Sequence, residues 1–137
     1  MTLRPAVWLS SPLPKTACAT VQASNQIVAL ADMGTALLVK CGFSEAAAAE
    51  ALSPLLLGNA QSVAEKGAVN ALTGPIERGD AQTVSKHLQE IRKFAAESTV
   101  GQDILTAYTA LSKQLIRIAQ QKHPHKDYKH LEKELEQ

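Results

Sequence analysis

Within residues 70–88, NALTGPIERGDAQTVSKHL, several side chains are close enough in sequence to build one polar site. Arg78 carries a planar guanidinium, which grips a carboxylate or phosphate through two parallel hydrogen bonds. Asp80 is a strong N-cap, its carboxylate placed to accept from the free N–H groups of residues 82 and 83. His87, two turns later, is an imidazole, the group most often used for general acid–base work. Thr73 adds a hydroxyl, and Gly74-Pro75 turns the chain sharply ahead of the helix. Two readings stand for each key residue. Arg78 is either an anion ligand or, as we prefer, a brace to Asp80 or another internal carboxylate. His87 is either a general acid/base or, again preferred, a core histidine bonded to the loop backbone.

Three further groups carry polar or reactive chemistry. Ser24 and Asn25 fall in the middle of a helical pattern, where both residue types are mediocre formers. They face a ligand cleft or simply decorate a helix surface. His123, His125 and His130 include an H-x-H pair, but the surrounding residues are charged and terminal, so a solvated tail is preferred to a metal site. Cys18 and Cys41 lie in apolar helical contexts and read as buried free thiols, as expected in a reducing compartment.

The elements that must position these groups are helical. Residues 15–41 carry one stripe, Ile27, Leu30, Ala31, Gly34, Leu37, Leu38 and Cys41, with a close helix crossing expected at Gly34 and a stop at Gly42. Ser44 caps a second helical region that ends near Lys66. Pro54 lies inside it and predicts a kink, or else a break and restart. A third helix over 81–97 has Val84, His87, Leu88, Ile91, Phe94 and Ala95 on its inward face. Residues 99–102 read as a turn. A fourth helix from Gln102 to Lys122 packs through Ile104, Leu105, Tyr108, Leu111, Leu115, Ile118 and Ala119. No strand pattern is present, so an all-α bundle of about four main helices is expected. It divides into a flexible Pro-rich lead-in over 1–14, with Trp8 its one feature, a helical domain over 15–122, and a charged tail or short helix over 123–137.

Composition sets the outer bounds. With 137 residues, 45% hydrophobic and 20% charged, the chain is long enough for one domain with its own core. Fourteen basic residues against thirteen acidic ones give a net charge of +1, which points to neither nucleic acid nor a membrane surface. No apolar run approaches a membrane span, and the N-terminal run is too short and too interrupted by proline for a signal peptide. A cytoplasmic protein is expected. The Ala-rich second helix and the Gly34 stripe suit close packing between subunits, and a homodimer is expected.

Ala71-Leu72-Thr73-Gly74-Pro75-Ile76, Arg78-Gly79-Asp80 and His87-Leu88, together with Ala23-Ser24-Asn25, resemble a known signature. It is that of a C-terminal helical domain of unknown function that follows a Rossmann domain in predicted NAD(P)-dependent oxidoreductases. That domain is similar to the helical half of pyrroline-5-carboxylate reductases and to the 6-phosphogluconate dehydrogenase C-terminal superfamily. The resemblance covers about residues 17–120. It implies a 6-phosphogluconate dehydrogenase C-terminal-like fold and a helical half that dimerises. It also implies a half-site for a small anionic substrate, with Ser24, Asn25, Thr73, Gly74, Arg78 and Asp80 as binding residues and His87 as the catalytic candidate. No G-x-G-x-x-G follows a strand in these residues, so no cofactor site is expected here. NAD(P) is implied only through a Rossmann domain supplied by a partner, such as a separately encoded protein. Ala17 and Gln22 depart from the His and aromatic residue that family members often place there. The expected function is therefore the substrate-binding and dimerisation half of such an oxidoreductase. The alternative is a non-catalytic helical interaction module derived from one.

Overall fold

The computed structural model describes residues 14–137, with side chains from residue 17 onward. The expectations for the Pro-rich lead-in, Pro14 aside, and for Trp8 lie outside the described residues. These residues form α1 (Pro14–Ala23), α2 (Asn25–Lys40), α3 (Glu45–Ala71), the single turn α4 (Pro75–Arg78), α5 (Ala81–Glu97), α6 (Thr99–Lys122) and α7 (Lys129–Glu136). The fold is all-helical, with no strand among the described residues.

The chain divides into two units, Met1–Pro54 and Leu55–Gln137. In the first, the expected single helix over 15–41 is broken at Ser24, whose φ of −121° and ψ of −68° leave the helical region. Its hydroxyl donates back to the Thr20 carbonyl at 2.6 Å, a bond that competes with the helix ladder and bends it. Ser24 and Asn25 thus mark a junction, not the middle of a helix. The expected inward stripe of α2 is only partly covered: none of its residues is buried, and Ile27 and Leu30 remain 44% and 42% exposed. A Cβ at Gly34 would meet a δ-methyl of Leu52 at 3.0 Å, so the expected close approach is made by a leucine side chain of α3. Cys18 and Cys41 are both exposed, which corrects the buried-thiol reading, because these helices have no core to bury them in.

Ser44 accepts from the Ala47 N–H at 3.2 Å and starts α3, which keeps helical dihedrals through Pro54. Its single interruption is Gly67, at φ 74° and ψ 164°, just past the expected end at Lys66.

The second unit holds the core. Ile76, Val84, Leu88, Ile116, Ala119, Tyr128, Leu131 and Leu135 form one buried cluster, with Leu72, Ala81, Leu105, Tyr108 and Leu115 packed against it. α5 and α6 form its hairpin. Ser98 ends one helix and caps the other, accepting from the Gly101 N–H at 3.0 Å, so α6 starts at Thr99 where a turn over 99–102 was expected. Gly101 is required there: a Cβ would come within 2.3 Å of the Phe94 carbonyl oxygen.

On α5 the buried residues are Val84, Leu88, Ile91 and Ala95; Phe94 is half-buried and His87 exposed, because both lie on the edge of the stripe. On α6 the buried face turns toward Ile104, Ser112, Ile116 and Ala119, leaving Leu111 37% exposed. A single apolar stripe could not foretell this, since α4, α5 and α7 all pack on α6 and jointly choose its face. The charged C-terminus is not a solvated tail. Tyr128, Leu131 and Leu135 are nearly or fully buried, on the apolar side of an otherwise charged α7.

Candidate functional site

In the loop over residues 72–80, each glycine, proline and cap residue has its own backbone role. Gly74 sits at φ 98° and ψ −169°, a conformation essentially restricted to glycine. Pro75 follows at the first helical position, where its missing N–H costs nothing. The turn α4 ends in a Schellman motif: the Asp80 N–H donates to the Pro75 carbonyl at 2.8 Å and the Gly79 N–H to the Ile76 carbonyl at 3.0 Å. Gly79 takes the left-handed conformation that this cap demands, φ 72°. Asp80 then caps α5, accepting from the Thr83 N–H at 3.0 Å and from the Thr83 hydroxyl at 2.7 Å. The cap reaches residue 83 alone among the two donors expected.

The C-terminal segment fastens this loop from outside. Lys122 Nζ donates to the Leu72 carbonyl at 2.8 Å and lies 3.5 Å from the Glu77 carboxylate. His123 Nε2 donates to the same carboxylate at 2.6 Å. The Tyr128 hydroxyl donates to the Glu77 carbonyl at 2.9 Å. Lys126 Nζ donates to the Arg78 carbonyl at 2.6 Å, and its stem crosses Gly79 so closely that a Cβ there would meet Cε at 3.2 Å. His123, considered with His125 and His130 as a hint of metal, is therefore a hydrogen-bond partner of Glu77. No group of three metal-ligating side chains is assembled among the described residues.

These contacts account for the electrostatics. The hydrogen bond from His123 is the main cause of a Glu77 pKa below its ordinary 4.5; desolvation opposes it and the Lys122 charge assists. Hydrogen bonds from the Thr83 side chain and then its backbone hold Asp80 below 3.8, with the Arg78 charge assisting at longer range. Burial, and then the Glu77 charge, push the Tyr128 phenol up.

Arg78 is left over. Its side chain is exposed, and it makes no hydrogen bond or ion pair within 4.0 Å among the described residues. The preferred brace is thus not formed: Glu77 is held by His123 and Lys122, and both Asp80 oxygens are held by Thr83. Thr73 is exposed beside the same turn. His87 is not sealed under the loop but sits exposed on α5, with Nδ1 3.1 Å from the Tyr108 hydroxyl of α6. Thr73, Gly74, Arg78 and Asp80 therefore share one loop, with His87 two turns along the helix that the loop starts. Ser24 and Asn25 belong to the first unit, where both are exposed and the Ser24 hydroxyl lies 3.4 Å from the Asn25 amide oxygen.

Sequence reasoning missed Glu77, Lys122, Lys126, Tyr128 and Tyr108. Their partners are 21 to 51 residues away, and no spacing rule reaches that far.

An all-helical domain carrying a capped, glycine-built loop with one unengaged arginine is the class of protein that fold and site define. Residues 14–115 match the family described as Domain of unknown function (DUF2520), and the chain belongs to that family. The C-terminal segment that fastens the loop lies beyond the matched residues. No curated protein matches the chain, and no solved structure does. No helix of the described residues is long and apolar enough to cross a membrane.

Proposed function

We propose that this chain is the substrate-binding and dimerisation half of an NAD(P)-dependent oxidoreductase, with a 6-phosphogluconate dehydrogenase C-terminal-like helical fold. One observation carries the reading. Within T-G-P-x-x-R-G-D, Gly74, Pro75, Gly79 and Asp80 all have backbone work to do, whereas the Arg78 guanidinium has none and stands exposed. A cation held out by a rigid turn, with its neighbouring carboxylates engaged elsewhere, suits a ligand carboxylate or phosphate. Thr73 supplies a hydroxyl on the same loop.

The cofactor belongs to a Rossmann domain in this reading. The described residues form no strand, and so no strand–glycine turn–helix against which a pyrophosphate could lie. The partly exposed apolar face of α2 supports the dimerisation half of the proposal.

Arg78→Ala tests the site, with inorganic phosphate and acetate as probes followed by amide chemical shifts. The native chain is expected to show saturable shifts over residues 73–80. The variant is expected to lose them while its stability changes by less than about 0.5 kcal/mol. A variant that loses about 1–3 kcal/mol, in a chain that never bound either anion, would restore the structural brace.

A further inference from the structure

Two short elements of the second unit cannot hold their shape alone. α4 is a single turn of four residues and α7 has eight, both below the roughly 12–15 that an isolated helix needs. Each leans on the other. The Glu77 and Arg78 carbonyls end α4 and receive no backbone N–H among the described residues. Side chains from the segment that leads into α7 fill both places. The Tyr128 hydroxyl donates to the first at 2.9 Å and Lys126 Nζ to the second at 2.6 Å. Ile76 of α4 is buried in the same cluster as Tyr128, Leu131 and Leu135. On its outer side α7 is held less well. A cavity of about 190 Å³ opens there between α6 and α7, lined by Lys113, Ile116, Arg117, Glu132 and Glu136. No ion pair within 4.0 Å spans it, and Arg117 bonds instead to Gln114 on its own helix. The α5–α6 hairpin has support of its own: Ile91, Ala95 and Ile104 are buried outside that cluster, near the Gly101 turn.

We propose that residues 122–137 and the loop over 72–80 form one cooperative strap, which opens and closes as a unit while the α5–α6 hairpin stays folded. Proteins open locally in such units, and those with the fewest buried contacts open most readily. With the strap closed, α4 keeps its turn and Arg78 stands where the loop puts it. With the strap open, the last carbonyls of α4 lose their donors and Ile76 loses its cover, so nothing is left to hold the turn. The strap is thus a conformational control on the T-G-P-x-x-R-G-D loop, exerted by side chains 48 and 51 residues further along the chain. It requires neither an anion at Arg78 nor a cofactor, so it fails separately from the proposed function.

Amide hydrogen exchange on the full chain reads the openings directly. In the native protein, the Gly79 and Asp80 amides and those of residues 132–135 are expected to have protection factors within about threefold of one another. Both sets are expected to lie well below residues 91–95 of the hairpin. Tyr128→Phe keeps the buried ring and removes only the hydroxyl. It is expected to speed exchange in both sets by one common factor, about two- to tenfold, and to leave residues 91–95 unchanged. Lys126→Met, which keeps the stem over Gly79, is expected to do the same. Acceleration confined to the loop, with α7 untouched, would overturn the proposal. So would an equal acceleration of the hairpin, which would make the opening global, and so would no change at all. If neither variant folds, the native chain decides: equal protection of loop and α7, below the hairpin, supports the strap, and unequal protection overturns it.

Discussion

Glu77 has no place in the motif as written, yet it is the residue on which the C-terminal segment converges. Its carboxylate takes His123 and Lys122, and its carbonyl takes Tyr128. That arrangement makes the loop acid-labile, and the sign follows from the direction of the shift. A carboxylate whose folded pKa lies below its unfolded value stabilises the fold fully above the unfolded value. The contribution is lost as the pH falls through the depressed one. For Glu77 and Asp80 the ordinary values are 4.5 and 3.8, so both contributions are complete above that range and disappear beneath it. Melting temperature measured against pH should therefore fall on the acid side, and Glu77→Gln should flatten part of that limb while lowering the neutral plateau. A native chain with a flat acid limb would argue against the Glu77–His123 pair. The same engagement of Glu77 is what leaves Arg78 unpaired. A structural pair at one position makes a functional cation possible at the next.

At the scale of elements, the α5–α6 hairpin places His87 beside Tyr108. Its tight reversal depends on Gly101, where a Cβ would collide with the backbone carbonyl of Phe94 and not with a movable side chain. Backbone cannot step aside without lengthening the turn. Gly101→Ala is therefore expected to cost about 1–3 kcal/mol or more, despite the gain in helix propensity. Chemical denaturation measures it, and a neutral or stabilised variant would show that the hairpin turns less tightly. Because the reversal sets the register of α6 on α5, it also sets whether Tyr108 meets His87. α7 closes the same unit through Leu131 and Leu135, which is how a strongly charged segment became part of a core.

For the whole molecule, the contrast is between a second unit with a buried cluster and a first in which Ala48 is the single buried residue described. Val21, Ile27, Val28, Leu30 and Val39 all keep 40% or more of their surface exposed. Apolar helix faces left open at this scale favour association, and a two-fold dimer is the commonest closed solution. Light scattering is expected to give twice the chain mass at tens of micromolar, and Leu30→Asp to shift it toward the monomer. A monomer for the native chain would remove the dimerisation half of the proposed function.

The sequence by itself determined the helical class, the extents of α5 and of most of α6, and the caps at Ser44 and Asp80. It also determined the glycine-built loop. All of these are local, since hydrogen-bond capping, φ/ψ preference and apolar periodicity act within a few residues. What only the tertiary structure decided is which face of each helix is covered and which charge meets which. His87 lies on a stripe edge that periodicity counts as inward, but packing leaves it in solvent beside Tyr108. Ser24 ends a helix whose pattern runs on through it, and the stripe beyond it meets too few neighbours to be buried. Arg78 had two carboxylates at hand in sequence. Which partners those carboxylates took was settled by Thr83 in one case, and in the other by lysine and histidine side chains 45 residues or more along the chain. Long-range partners are chosen by the shape of the packed unit, and no window of sequence contains that shape.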